Sequence, residues 1–214
     1  QNIVNNNLDA AFLQCESVQF FRPCGQMVFG KEPFPGETET INAETKVSVP
    51  IGQPTIALFD GLPLENHALL SGRLIIDDPD DYGTDYVVVS RKHGTAMASL
   101  IVQGDLNNGQ HPLRHPLYVR PIMRGQPKFS GSDSYYERIP KNVLFTDLLH
   151  RSVRRLFESE NGQPPVAPNV KIINLSIGDP VRQFINAMSP AAKLIDWLSE
   201  KYKVLFVVSA GNHP

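Results

Sequence analysis

The feature that most restricts the fold of this chain is a series of short apolar segments that alternate with amphipathic helical patterns. The apolar segments are near-continuous and do not alternate with polar residues, which is typical of strands covered on both faces, as in parallel sheets. The predicted strands comprise residues 55–59, 86–89, 117–119 (with Ile122), 170–175 and 204–208.

Helical patterns separate these predicted strands. One covers His93 to Val102 and ends near Gly104, and a longer one covers Asn142 to about Ser159, with its apolar residues on one face. A third begins after Ser189, a predicted N-cap followed by proline at the first helical position. The alternation predicts an α/β fold in which a mainly parallel sheet has helices on both faces, giving three layers.

Length and composition suit one globular domain with an appendage. The chain has 214 residues, 41% of them hydrophobic, and a net charge of −2. Disorder, a membrane span of 18 or more apolar residues, and a basic surface for nucleic acid are therefore not expected. Residues 1–50 are irregular and rich in proline, glycine and asparagine, so we predict an N-terminal extension of unknown role there and the domain in residues 51–214. Oligomeric state stays open.

The two cysteines, Cys15 and Cys24, are too few for a disulfide framework and form no zinc motif. Pairing and metal binding with other residues stay open, but small buried side chains are the default expectation. The chain starts with glutamine, and no signal peptide is visible, although one could have been removed. We expect the cytoplasm rather than secretion.

Polar residues follow the predicted strands at the edge where sites form in parallel sheets. Asp60 follows the first strand, His93 opens the helix after the second, Ser176-Ile177-Gly178 follows the fourth, and Asn212 follows the fifth. An imidazole base, a carboxylate that orients it and an amide donor for an oxyanion together suit acyl-transfer chemistry.

Four segments carrying these residues resemble the subtilisin-like serine proteases, the subtilases. His93 to Ser99 (HGTAMAS) is similar to the family's histidine motif, and Ile56 to Gly61 is similar to its aspartate strand. Ile172 to Gly178 resembles the strand that pairs with substrate, and Val207 to Asn212 resembles the strand ending in the oxyanion asparagine. The four occur in family order, and the resemblance extends from about residue 54 to the end.

The resemblance implies a serine endopeptidase that acts on polypeptides through an acyl-enzyme and needs no cofactor. His93 would be the general base and acid, Asp60 would orient it, and Asn212 would stabilise the oxyanion. Ser176, Ile177 and Gly178 would hydrogen-bond an extended substrate. The plainer alternatives are a polar residue at a helix start, a carboxylate in an Asp-Gly turn, an asparagine suited to its loop, and an ordinary strand exit.

The chain departs from the family pattern in two ways. Gly61 follows Asp60 directly, where the family usually places a threonine or serine whose hydroxyl supports the carboxylate. The Gly-Thr-Ser motif of the nucleophile is absent, because the Gly-Thr pairs at Gly83 and Gly94 continue with Asp85 and Ala96. We therefore expect a catalytic domain truncated before its serine and inactive alone. The alternatives are a catalytically dead peptide-binding module and a nucleotide-binding α/β protein, and the second lacks the phosphate-binding glycine motifs.

Two charged segments have secondary interpretations. The acidic run Asp77–Asp81 is a calcium candidate through the resemblance, but its spacing does not match an EF-hand loop, so a solvated acidic turn is expected. Arg151, Arg154 and Arg155 form a basic strip on the long helix, for which a solvent-facing side is the default. No metal site is predicted.

Overall fold

A computed structural model describes residues 49–106, 111–129, 135–178 and 188–209. Seven strands and three α-helices lie in these ranges. The strands are β1 (Ile56–Asp60), β2 (Leu74–Ile76), β3 (Leu117–Pro121), β4 (Arg124–Pro127), β5 (Tyr135–Arg138), β6 (Ile172–Leu175) and β7 (Leu205–Val208). The helices are α1 (Lys92–Gln103), α2 (Phe145–Phe157) and α3 (Pro190–Tyr202). The predicted extension, with Cys15 and Cys24, lies outside the described residues.

Five of the strands form one parallel sheet in the order β2-β3-β1-β6-β7. The central strand β1 is buried along residues 57–60. Its alternate side chains enter two separate cores, because successive residues of a strand point to opposite faces. On one face Ala57 and Phe59 pack with α2 and α3, and on the other Leu58 packs with α1. The predicted three-layer α/β architecture is confirmed.

The prediction of a strand at residues 86–89 is wrong. Tyr86 and Val87 link two short 3-10 helices, Tyr82–Asp85 and Val88–Arg91, and the second, which contains Val88 and Val89, leads directly into α1. Tyr86 is buried, whereas Val88 and Val89 are 68% and 57% exposed. The valines therefore follow a local turn, in which the Ser90 hydroxyl donates to the carbonyl oxygen of Val87. The edge position belongs to β2, whose three residues are too few to give a recognisable pattern.

The helix predictions are largely confirmed. The hydroxyl oxygen of Ser189 accepts a hydrogen bond from the backbone N–H of Ala192 at 3.1 Å, so Ser189 is the predicted N-cap of α3. The long helix α2 begins at Phe145 rather than Asn142. None of the helices in the described ranges is long and apolar enough to cross a membrane.

Part of the acidic run and part of the basic strip form one ion-pair network, whereas Arg154 stays on the helix surface and pairs with Glu158. Arg120 of β3, with a side chain only 2% exposed, lies 2.5 Å from Asp80 and 3.7 Å from Asp77. From α2, Arg155 makes two hydrogen bonds to Asp77, and Arg151 pairs with Asp80. Burial opposes the ionisation of Asp77, but its hydrogen bonds to Arg155 and Tyr118 and the nearby arginine charges hold its pKa below the usual value. The network therefore ties the loop after β2 to α2.

Removing Arg120 should destabilise the fold strongly. Arg120→Met keeps most of the side-chain volume but leaves two half-buried carboxylates without their central cation. Because Asp77 keeps Arg155 and Asp80 keeps Arg151, the expected cost is that of the lost charged hydrogen bond, about 1.5–3 kcal/mol, rather than that of an unpaired buried charge. Arg154→Met is the matched control, since Arg154 pairs with Glu158 on the helix surface and is 41% exposed. Urea unfolding of both variants measures the difference, and equal effects would contradict a stabilising role for the network.

Candidate active site

The carboxylate at the end of β1 and the imidazole at the start of α1 lie in direct contact. Nδ1 of His93 is 3.0 Å from Oδ1 of Asp60, and the same oxygen accepts a 2.6 Å hydrogen bond from the backbone N–H of Gly61. Asp60 is fully buried, whereas the His93 side chain is 25% exposed. The ring therefore has one edge against the carboxylate while part of its surface stays open to solvent.

The first turn of α1 packs unusually close to the chain that follows β1. A Cβ atom on Gly94 would lie 2.4 Å from the carbonyl oxygen of Gly61, so only glycine allows this approach. The neighbouring Thr95 hydroxyl accepts a hydrogen bond from the backbone N–H of Leu64 at 2.9 Å and donates to the carbonyl of Arg91 at 2.6 Å. The three residues His93, Gly94 and Thr95 thus each have a separate task in joining α1 to β1.

The sequence model of the subtilase family matches residues 53–214, well over half of the chain. The chain belongs to the subtilase family. Family membership makes it a serine peptidase homologue, and the matched region begins within one residue of the predicted resemblance. Neither the curated proteins nor the solved structures include a significant match.

Burial has the largest effect on the pKa of Asp60 in this subtilase. It raises the pKa of this carboxyl above the usual value, although the hydrogen bond and charge of His93 and the N–H of Gly61 act in the opposite direction. Within the described ranges, no protein group donates a hydrogen bond to the second carboxylate oxygen, Oδ2. The anion is therefore held mainly through one oxygen, which is the oxygen that faces the histidine.

The predicted substrate segment follows β6, which pairs directly with β1. Ser176 donates to the side-chain oxygen of Asn174 at 2.6 Å, and Ile177 is buried at 3% exposure. No atom of the described residues would lie within 4 Å of a Cβ atom on Gly178. The segment thus leaves the same edge of the sheet as Asp60, as the topology predicts. Asn212, the predicted oxyanion residue, lies outside the described residues.

Two residues near the aspartate were not singled out from the sequence. The Glu137 carboxyl of β5 occupies the space beside Gly61, where its Oε1 would be 1.8 Å from a Cβ atom on that glycine. The Tyr86 hydroxyl would be 3.0 Å from the same Cβ and donates to the carbonyl of Met123 at 3.2 Å. The glycine at residue 61 indicates that space beside Asp60 is left free by the local chain. The sequence does not indicate which distant residue occupies that space.

No group of three or more histidine, cysteine or acidic side chains suited to a metal ion occurs in the part of the chain that the structure describes. The acidic run is largely engaged by protein partners: besides the arginine pairs, Asp78 accepts hydrogen bonds from the backbone N–H groups of Tyr82 and Gly83. The Asp77–Asp81 segment is thus organised around its own turn and the arginines.

The close contact at Gly94 gives a direct test of how α1 is positioned. Gly94→Ala should force α1 away from the backbone of Gly61 and cost about 1–3 kcal/mol of stability through overpacking. It should also lengthen the His93–Asp60 contact. Gly178→Ala is the control, because no atom of the described residues lies within 4 Å of its Cβ. Chemical denaturation gives the stability difference, and unchanged stability of Gly94→Ala would show that the helix can move at no cost.

Proposed function

We propose that this chain carries the aspartate and histidine of a serine endopeptidase that cleaves peptide bonds through an acyl-enzyme. The observation that supports it best is the 3.0 Å contact between His93 Nδ1 and a fully buried Asp60 Oδ1. An aspartate on Nδ1 favours the tautomer whose Nε2 accepts a proton from a nucleophile. It also stabilises the imidazolium that forms when that proton is taken up.

The other parts of the proposed mechanism have separate roles. Asn212 would donate its side-chain amide to the oxyanion of the tetrahedral intermediate. The Ser176-Ile177-Gly178 segment, which leaves the same edge of the sheet as Asp60, would pair with an extended substrate through its backbone. The polypeptide is thus the proposed substrate, and the mechanism calls for no cofactor.

The nucleophile must come from a residue other than those described above. The printed sequence has no Gly-Thr-Ser motif, so the proposal assigns the attacking hydroxyl to a serine downstream of Pro214. A homologue without that serine would bind peptides without cutting them. A Gly-Thr-Ser motif elsewhere in the complete protein would distinguish the peptidase from this second function.

In the complete protein with such a serine, His93→Ala should lower peptide hydrolysis by about 10⁴-fold or more, because the proton of the nucleophile loses its acceptor. His111→Ala is the matched control, since His111 is an exposed histidine outside the site. Turnover of a peptide substrate measures the effect, and circular dichroism verifies folding. Wild-type turnover by a folded His93→Ala variant would refute the assignment of the base.

The 214-residue chain by itself should not react with a fluorophosphonate probe, which labels activated serines. Ser209 is the serine nearest the predicted oxyanion strand, and it directs its backbone N–H to the carbonyl of Leu175. Intact-mass spectrometry measures the labelling. Stoichiometric labelling would reveal another activated nucleophile within these residues.

A further inference from the structure

The carboxyl group of Glu137 is buried against Gly61, the residue after Asp60, and lies outside both the five-stranded sheet and the motifs that resemble the family. Glu137 lies on β5 of the hairpin formed with β4, and it is only 8% exposed. Its Oε1 is buried and, among the described residues, has no hydrogen-bond partner. The Oδ2 atom of Asp60 is in the same condition. Two buried acidic groups, Asp60 and the Glu137 that lies against Gly61, thus each leave one oxygen without a hydrogen bond from the described residues.

Gly61 is what allows this arrangement. Any side chain at residue 61 would begin 1.8 Å from Oε1 of Glu137 and 2.7 Å from its carboxyl carbon. The glycine that follows Asp60 and the glutamate on β5 are therefore sterically complementary. The carboxyl fills space next to the aspartate that a larger residue 61 would otherwise occupy.

We propose that Glu137 is a positioning residue of the Asp60–His93 pair, which it supports sterically across Gly61 and electrostatically through its own gain and loss of a proton. When protonated, it leaves Asp60 as the one negative charge beside the imidazole. When ionised, it adds a second negative charge, which repels the carboxylate and favours the imidazolium. The effect of Glu137 on catalysis rests on the proposed function, because only an active peptidase uses the Asp60–His93 pair in turnover.

The titratable groups that face Glu137 agree with such coupling. Burial raises the pKa of Glu137 to about 7, the neighbouring Tyr86 hydroxyl lowers it, the charge of Asp60 raises it, and the charge of His93 lowers it. Tyr86 stays protonated in this range, because burial and the charge of Glu137 raise its own pKa. Glu137 therefore changes charge near neutral pH, and it is linked to both members of the pair.

The coupling can be measured on Glu137 itself, without any hydrolysis. Carbon-13 NMR of the Glu137 carboxyl in the full chain should give a titration midpoint near 7. Asp60→Asn removes the facing negative charge, so the midpoint should fall by about one pH unit. His93→Gln removes the facing positive charge and should raise it. A midpoint that neither substitution moves would overturn the proposal. If Asp60→Asn does not fold, the midpoint in His93→Gln provides the test alone.

The steric part has its own test. Gly61→Ser should lower the melting temperature of the wild type, because its Cβ meets Glu137, and should be tolerated much better when Glu137→Ala is also present. Gly178→Ser is the control, since no atom of the described residues lies within 4 Å of its Cβ. Equal destabilisation of both backgrounds by Gly61→Ser would refute the complementarity of residues 61 and 137.

A pH profile separates this role from ordinary packing. The pKa of Glu137 is higher in the folded chain, about 7, than its usual 4.5, so its contribution to stability is complete below 4.5 and is lost as the pH rises through 7. The wild type should therefore lose stability relative to Glu137→Gln across that window and not above it. A constant difference between the two proteins would mean that Glu137 only fills space.

Activity of the complete protein then distinguishes the two proposals. Glu137→Gln should keep the site assembled but shift the acid limb of the kcat/KM profile to lower pH, because the anion that favours the imidazolium is gone. If the Glu137 titration responds to Asp60 and no peptide is cleaved, the proposed function fails and the positioning role stands. If peptide is cleaved with unaltered pH dependence and unmoved titration, the positioning role fails.

Discussion

The close approach of α1 to the end of β1 is the constraint on which the site depends. Gly94 lets the helix rest on the Gly61 carbonyl, and this contact brings the His93 ring within hydrogen-bond distance of Asp60. Thr95 then ties the same turn to Leu64. A helix displaced by the size of one methyl group would separate the ring from the carboxylate, so packing and chemistry depend on the same few atoms.

The acidic side chains in the loop after β2 and those beside His93 have different electrostatic surroundings. In the loop after β2, Asp77 and Asp80 are compensated by arginines, and the resulting network holds the loop against α2. Beside His93, by contrast, Asp60 and Glu137 are buried, and burial is the main cause that raises the pKa of each. Fully compensated carboxylates give a stable structure, whereas raised pKa values near a histidine are typical of sites that exchange protons.

Most of the sheet could be predicted, because β1, β6 and β7 coincide with near-continuous apolar runs, which are typical of strands in parallel sheets. The valines of residues 86–89 have the same composition, yet they form a turn, since the buried Tyr86 and the start of α1 determine the local path. The three-residue strand β2 depends on pairing with β3 and has no pattern of its own. Strand propensity alone does not separate these cases.

The sequence by itself determined the α/β class, the order of the motifs and the Asp60 and His93 pair, because local periodicity and short motifs are properties of adjacent residues. It could not determine that Glu137 lies against Gly61 or that Arg120 joins the acidic loop to β3. Those contacts join residues 40 or more positions apart, as in the Arg120–Asp80 hydrogen bond, and side chains so distant meet only when the packed sheet and helices bring them together.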